Sequence, residues 1–163
     1  MKALITATLA ALIGTMVACA GDPAAPTSRQ QDVARKGASV MPFDLMRTTH
    51  FFDDTPGGGI ETITANDPRD AQQSALIRSH LATEAKRFGR GDFSDPAQIH
   101  GHDMAGLAEL ARAGDKLQVE YADVPAGARL TFASRDPAVV TAVHAWFAAQ
   151  RSDHAAHMHL HHH

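Results

Sequence analysis

The chain of 163 residues has a single cysteine, which stands at position 19 near the N-terminus. Any folded domain that follows it therefore has no thiol. That absence excludes an internal disulfide, a cysteine nucleophile and a thiolate metal ligand from the domain. A metal site in such a domain has to be built from imidazole, carboxylate and thioether groups instead.

Charge of one sign and the common catalytic motifs are also scarce. Fifteen basic residues against 18 acidic ones give a net charge of −3, without a basic stripe, so no nucleic-acid partner is predicted. There is no Gly-x-Ser-x-Gly elbow and no His-Glu-x-x-His motif, and Gly57-Gly58-Gly59 lacks the lysine of a phosphate loop. We predict no catalytic residue. The balance favours a non-enzymatic protein, although acid–base chemistry by one of the histidines stays open.

The only long apolar run lies at the N-terminus. Lys2 precedes an apolar stretch over residues 3–17, and Ala18-Cys19 follows it. This pattern is typical of a signal peptide over residues 1–18, and it is shorter than the roughly 20 residues of a membrane-spanning helix. Met16-Val17-Ala18-Cys19 resembles a bacterial lipobox, which predicts lipidation of Cys19 and a membrane-anchored, periplasm-facing protein of the cell envelope. The alternative is an ordinary secretory signal cut after Ala18 or Ala20.

Turn and cap signals divide the remainder of the chain. We predict a tether over residues 19–39, one domain over residues 40–152 and a His/Met-rich tail over residues 153–163. Two hairpins are predicted, over residues 46–64 and 116–134, and helices over about 67–88, 104–113 and 136–150. The fold class is therefore α+β, an antiparallel sheet of two hairpins with about three helices on one face. In the first hairpin the alternation does not decide whether Ile60 or Glu61 faces the core.

The chain is unusually rich in histidine, with 11 copies. Six of them fall in the last ten positions. Imidazole is the commonest metal ligand in proteins. His154, His157, Met158 and His159 are predicted to form a metal-capturing arm, whether the terminal histidines are native or a purification tag.

Internal ligand candidates fall in three segments. His80 and Glu84 are one turn apart on an apolar helix stripe, so they are either two ligands or a self-satisfied pair. His100, His102 and Met104 form the densest cluster, and the alternative is a surface loop with Met104 in the core. His50 is a further candidate from the first strand, whereas His144 fits a satisfied core histidine.

Imidazole and thioether without thiolate suit copper best, and zinc or nickel less specifically. Haem is another alternative, because His and Met both serve as axial ligands. The leading hypothesis is a metal-capture or metal-tolerance protein. The alternative is an envelope binding module for a small ligand or a protein, with the histidines acting as pH-sensitive polar groups.

Three segments together resemble a family of small exported bacterial proteins without an established activity. They are Met41-Pro42-Phe43-Asp44-Leu45 with Thr49-His50-Phe51, the stretch over residues 91–101, and His144-Ala145-Trp146-Phe147 leading to Asp153-His154. The resemblance implies one exported domain and points to His50, His100 and His154. Members are sometimes labelled aspartate carbamoyltransferase, but the chain has no Ser-Thr-Arg-Thr loop for carbamoyl phosphate, so that activity is not predicted.

Overall fold

The computed structural model describes residues 25–158, with side chains as far as residue 155. The predicted signal peptide, the lipidation site Cys19 and the tail residue His159 lie outside the described residues, as do the side chains of His157 and Met158. The helices are Ser28–Val40 (α1), Ala71–Phe88 (α2), Ser94–His100 (α3), Leu107–Ala111 (α4) and Pro137–Met158 (α5), and the strands are Thr48–Thr55 (β1), Gly58–Ala65 (β2), Gln118–Val124 (β3) and Gly127–Ala133 (β4).

The four strands form one antiparallel sheet in the order β1-β2-β4-β3, so the two hairpins meet through β2 and β4. The predicted α+β fold is confirmed. The register pairs His50 with Ile63 and Phe52 with Glu61 across β1 and β2, and it pairs Glu61 with Leu130 across β2 and β4. Alternation then places these side chains on one face of the sheet.

The helices cover that face and leave the other face to solvent. Helix α5 packs on β1 and β2, whereas α2 packs on β4 and β3. A single hydrophobic core lies between the sheet and the helices, and its largest fully buried side chains include Trp146, Phe132 and Phe147. Gly106 lies where a Cβ would come within 2.1 Å of the Ala142 carbonyl oxygen, so a residue without a side chain lets α4 approach α5.

The ends of the predicted helices differ from those observed. Asp67 does not cap α2: its carboxylate instead accepts from the Arg69 amide within a preceding turn, and Asp70 caps the helix by accepting from the Gln73 amide. Gly89, which follows α2, is not left-handed, because its φ is −61°; the chain takes a left-handed conformation two residues later, at Gly91, with φ of 77°. Helix α4 is also shorter than predicted, because the chain makes turns before Leu107.

Helix α1 falls within the segment that the sequence assigned to the tether. It begins with a complete capping box between Thr27 and Gln30, buries Val33 and packs against α3 and α5. At the other end of the chain, α5 continues through Asp153 and His154, which the sequence assigned to the tail. The folded body therefore extends beyond both predicted limits of the domain.

Within residues 25–158, no helix has the length and apolar character needed to cross a membrane.

Candidate functional site

A partly open cavity lies between β1 and β2 on one side and α2, α3 and α5 on the other. Its volume of about 30 Å³ is enough for roughly two water molecules. Although most of the surrounding core is apolar, the cavity walls carry seven titratable side chains, namely His50, Glu61, His80, Glu84, Asp95, His100 and His154. This concentration of ionisable groups inside the fold marks the candidate site.

The sheet and α5 place their cavity residues by simple periodicity. His50 and Phe52 point inward from β1, and Glu61 and Ile63 point inward from β2, because alternate residues of a strand share a face. On α5, the residues Trp146, Gln150 and His154 line the cavity at intervals of four. Residues spaced by four lie one above another on the same face of a helix.

Three imidazoles lie close together at one end of the cavity. The ring of His154 has its centroid 5.2 Å from that of His50 and 5.3 Å from that of His100. These rings come from β1, α3 and α5, which are distant in sequence. They are also the three histidines to which the family resemblance pointed.

His100 is held in one orientation by a buried carboxylate. Its Nδ1 lies 2.8 Å from Oδ2 of Asp153, so Nε2 is the ring nitrogen left for another partner. Arg29 of α1 donates to both oxygens of Asp153, from Nε at 2.5 Å and from Nη2 at 2.8 Å. Burial lowers the pKa of His100 although Asp153 opposes the shift, which favours the neutral ring that metals bind.

The glycine after His100 lets the chain turn away at once. Gly101 has φ of 99°, and a Cβ there would lie 2.8 Å from Oδ1 of Asp103. Only glycine adopts this conformation readily, so α3 ends at His100 and the next histidine leaves the site.

The carboxylates of α2 and α3 share one cation. Arg87 donates to Glu84 at 2.8 Å and lies 2.7 Å from Asp95. Burial, reinforced by Asp95, raises the pKa of Glu84 to about 7 against the opposing effect of Arg87. The predicted pairing of Glu84 with His80 is replaced by pairing with Arg87. His80 instead packs edge-on against Phe43, with its pKa lowered by burial.

Glu61 has no such cation. Its carboxyl makes no hydrogen bond or ion pair with any other residue in the described part of the chain. Burial, reinforced by Glu84, raises the pKa of Glu61 to about 8. Glu61 was not among the predicted site residues. One signal in the sequence could have found it. Glu61 alternates with Ile63 and Ala65 along β2, so its side chain shares a face with two apolar side chains.

Two predicted ligands are not brought to the cavity. His102 is exposed and lines a separate surface groove with Ser94 and Leu107, and Met104 is buried in the hydrophobic core. The thioether that does line the cavity belongs to Met41. His144 is half-buried, and its Nε2 lies 2.9 Å from the carbonyl oxygens of both Thr55 and Gly58, as expected of a satisfied structural histidine.

Among the described residues, no group of three or more His, Cys, Asp or Glu side chains is arranged to hold a metal ion as it stands. No family model matches the chain, and no curated protein or solved structure is significantly similar to it. Functional inference therefore depends on the cavity and its chemistry.

Proposed function

We propose that this protein is an exported, lipid-anchored transition-metal-binding protein, with copper as the leading metal and zinc or nickel as alternatives. The observation that carries the proposal is the group of three imidazoles, His50, His100 and His154, at one end of the cavity. A metal-bound imidazole nitrogen lies about 2.0–2.1 Å from the ion, so two rings on a tetrahedral ion have centroids roughly 5 Å apart. The separations of 5.2 Å and 5.3 Å match that spacing.

The hydrogen bond between Asp153 and His100 is a second support. A carboxylate on the second ring nitrogen of a metal-binding histidine fixes the tautomer and increases the basicity of the ligand. Asp153 is 4 % exposed and is itself held by Arg29. Burying a carboxylate costs free energy, even when Arg29 and His100 both bond to it. A histidine that only packs in the core does not require such a partner.

The location in the cell envelope is proposed from the sequence of residues 1–19. A membrane anchor on Cys19 would place a metal-capturing domain at the surface of an oxidising compartment. Mass spectrometry of the mature N-terminal peptide tests this directly, because lipidated Cys19 carries acyl chains that an ordinary secretory cut does not add.

The metal proposal is tested in a background variant that removes the competing ligands of the sequence tail and Cys19. In this variant Cys19 is replaced by serine and the tail histidines by asparagine, namely His157, His159, His161, His162 and His163. Titration calorimetry with Cu²⁺, Zn²⁺ and Ni²⁺ is expected to show one equivalent bound more tightly than micromolar. The change His154→Ala should weaken binding at least 100-fold.

His144→Ala is the matched control, because His144 lies on the same helix and bonds to backbone carbonyls away from the cavity. It should leave the affinity unchanged. Binding weaker than micromolar in the background variant would contradict the proposal, and so would equal losses in the two alanine variants.

A further inference from the structure

Glu61 occupies a position at which a carboxyl group is costly. It is 8 % exposed on the inner face of the sheet, and its partners in the register are the apolar residues Phe52 and Leu130. A buried polar group without a hydrogen bond loses its hydration without compensation. The carboxyl of Glu61 lines the cavity, where a partner from outside the chain can reach it.

The cations near the cavity do not supply that partner. Arg87 is engaged by Glu84, Asp92 and Asp95, and Arg29 by Asp153. The titratable neighbour that acts on Glu61 is another carboxylate, Glu84, which disfavours its ionised form. Both arginines are thus engaged by other carboxylates, and Glu61 lines a cavity that has room for about two water molecules.

The sheet places Glu61 next to His50, and His100 and His154 line the same cavity. Because His50 pairs with Ile63, Glu61 is its diagonal neighbour across β1 and β2 on the same face. Such diagonal pairs lie roughly 7–8 Å apart at the backbone, a distance that a glutamate and a histidine span when they bind one ion between them. Gln150, whose Oε1 is buried without a hydrogen-bond partner in the described residues, lines the same space from α5.

We infer that Glu61 is the anionic ligand of an ion that it shares with His50, His100 and His154, so that the cavity selects divalent cations over Cu⁺. This inference rests on the proposed function and narrows it to one oxidation state of copper, together with zinc and nickel. Three neutral imidazoles and one carboxylate provide the single negative charge and the hard oxygen that a divalent ion favours.

The placement of the thioethers agrees with this selectivity. Cu⁺ prefers soft sulfur ligands. Met104, the thioether next to the histidine pair in sequence, is buried in the hydrophobic core, and among the side chains described up to residue 155 Met41 is the thioether that lines the cavity. The described side chains thus offer one thioether beside several imidazoles and a carboxylate, a ligand set that suits a divalent ion better than Cu⁺.

The test compares Glu61→Gln with the background variant of the full chain. Glutamine keeps the size and the hydrogen-bonding oxygen but removes the charge. The dissociation constants for Cu²⁺ and Zn²⁺ should rise 10- to 100-fold, whereas the constant for Cu⁺, measured by competition with a chromophoric chelator under anaerobic conditions, should change less than threefold. Glu120→Gln is the control, because Glu120 is an exposed strand glutamate in the other hairpin, and it should change none of the constants.

The outcomes separate the two proposals. If the background variant binds none of these ions, both fail. If it binds divalent ions and Glu61→Gln binds them equally well, the assignment of Glu61 is overturned while the proposed function stands. Equal losses for Cu²⁺ and Cu⁺ also overturn it, because they indicate general disruption of the cavity.

A second variant keeps the test decisive if Glu61→Gln does not fold. Glu61→Asp retains the charge on a shorter side chain, so it should weaken Cu²⁺ and Zn²⁺ binding and preserve the preference for divalent ions over Cu⁺. Loss of that preference in Glu61→Asp would overturn the inference. The thermal shift induced by Zn²⁺ provides a readout that is independent of calorimetry, and it should be smaller in either variant than in the background protein.

Discussion

The two halves of the buried sheet face are built in opposite ways. On β4 the inward residues are Ala128, Leu130 and Phe132, all of which are at most 1 % exposed and apolar. We call these three residues the apolar half. On β1 and β2 the inward residues include His50 and Glu61 among Phe52 and Ile63, and we call these four the polar half. Both halves pack under helices and belong to the same core layer.

The difference teaches that stability and the candidate site are separated within one sheet. The apolar half contributes hydrophobic burial without a compensating polar cost. The polar half buries less apolar surface, because His50 and Glu61 occupy positions at which aliphatic residues would pack. Residues that weaken a core in this way are candidates for function, since folding alone does not require them.

The largest effect is expected from emptying the apolar half. Leu130→Ala should reduce the free energy of unfolding by about 2–5 kcal/mol, because it removes a fully buried side chain and leaves a cavity. Glu61→Leu, at the position paired with Leu130, should leave the metal-free protein at least as stable as the wild type. Urea unfolding in the presence of EDTA measures both changes. Similar destabilisation by the two substitutions would contradict the separation of the halves.

A smaller, pH-dependent effect is expected in the polar half. The pKa of Glu61 rises from 4.5 to about 8 on folding, so the folded state retains a proton that the unfolded chain has released. The stability associated with that proton is complete below about pH 4.5 and is lost as the pH rises through about 8. Glutamine does not titrate. The stability advantage of Glu61→Gln over the wild type should therefore grow between pH 5 and pH 8.5, to the order of 3 kcal/mol.

Thermal unfolding of the metal-free proteins across that pH range measures the difference. Glu84, whose pKa is raised to about 7, is present in both proteins, and its repulsion with Glu61 is part of the difference between them. His80 and His100 have lowered pKa values, so they destabilise the fold as the pH falls below about 6.5, again in both proteins. Parallel curves of melting temperature against pH would show that the carboxyl of Glu61 is not the source of the effect.

The sequence predicted the elements of the fold better than their orientation. Both hairpins follow from local signals, namely the turn over residues 55–59 and the alternation of Leu117, Val119 and Tyr121. Local signals do not decide which face of β2 points inward. Ile60 and Ile63 lie on opposite faces of the strand, and the two threonines fit either face. Packing against α5 decides the matter, since Gly59 lies where a Cβ would come within 2.4 Å of the Phe147 ring. That contact joins segments far apart in sequence and leaves no local pattern.

Only part of the predicted site residues come together in the structure. His50, His80, Glu84, His100 and His154 do line one cavity. Glu61, Asp153 and Arg29 were not proposed as site residues, because each acquires its role through a distant partner: Arg29 and Asp153 are separated by 124 positions. Spacing along the chain reveals ligands on one helix or loop. It cannot reveal ligands that four different elements bring together.

The smallest effect is expected at His102, two residues from the proposed ligand His100. A His-x-His pair predicts two ligands on one segment, but Gly101 turns the chain so that His100 is buried and His102 is exposed. In the background variant, His102→Ala should leave the metal affinity unchanged and shift the free energy of unfolding by no more than about 0.5 kcal/mol, as for other surface substitutions. His100→Ala should abolish tight binding, because it removes the imidazole that Asp153 orients. Calorimetry on the pair measures the contrast, and equal losses would mean that the segment reorganises around the ion and brings His102 into the site.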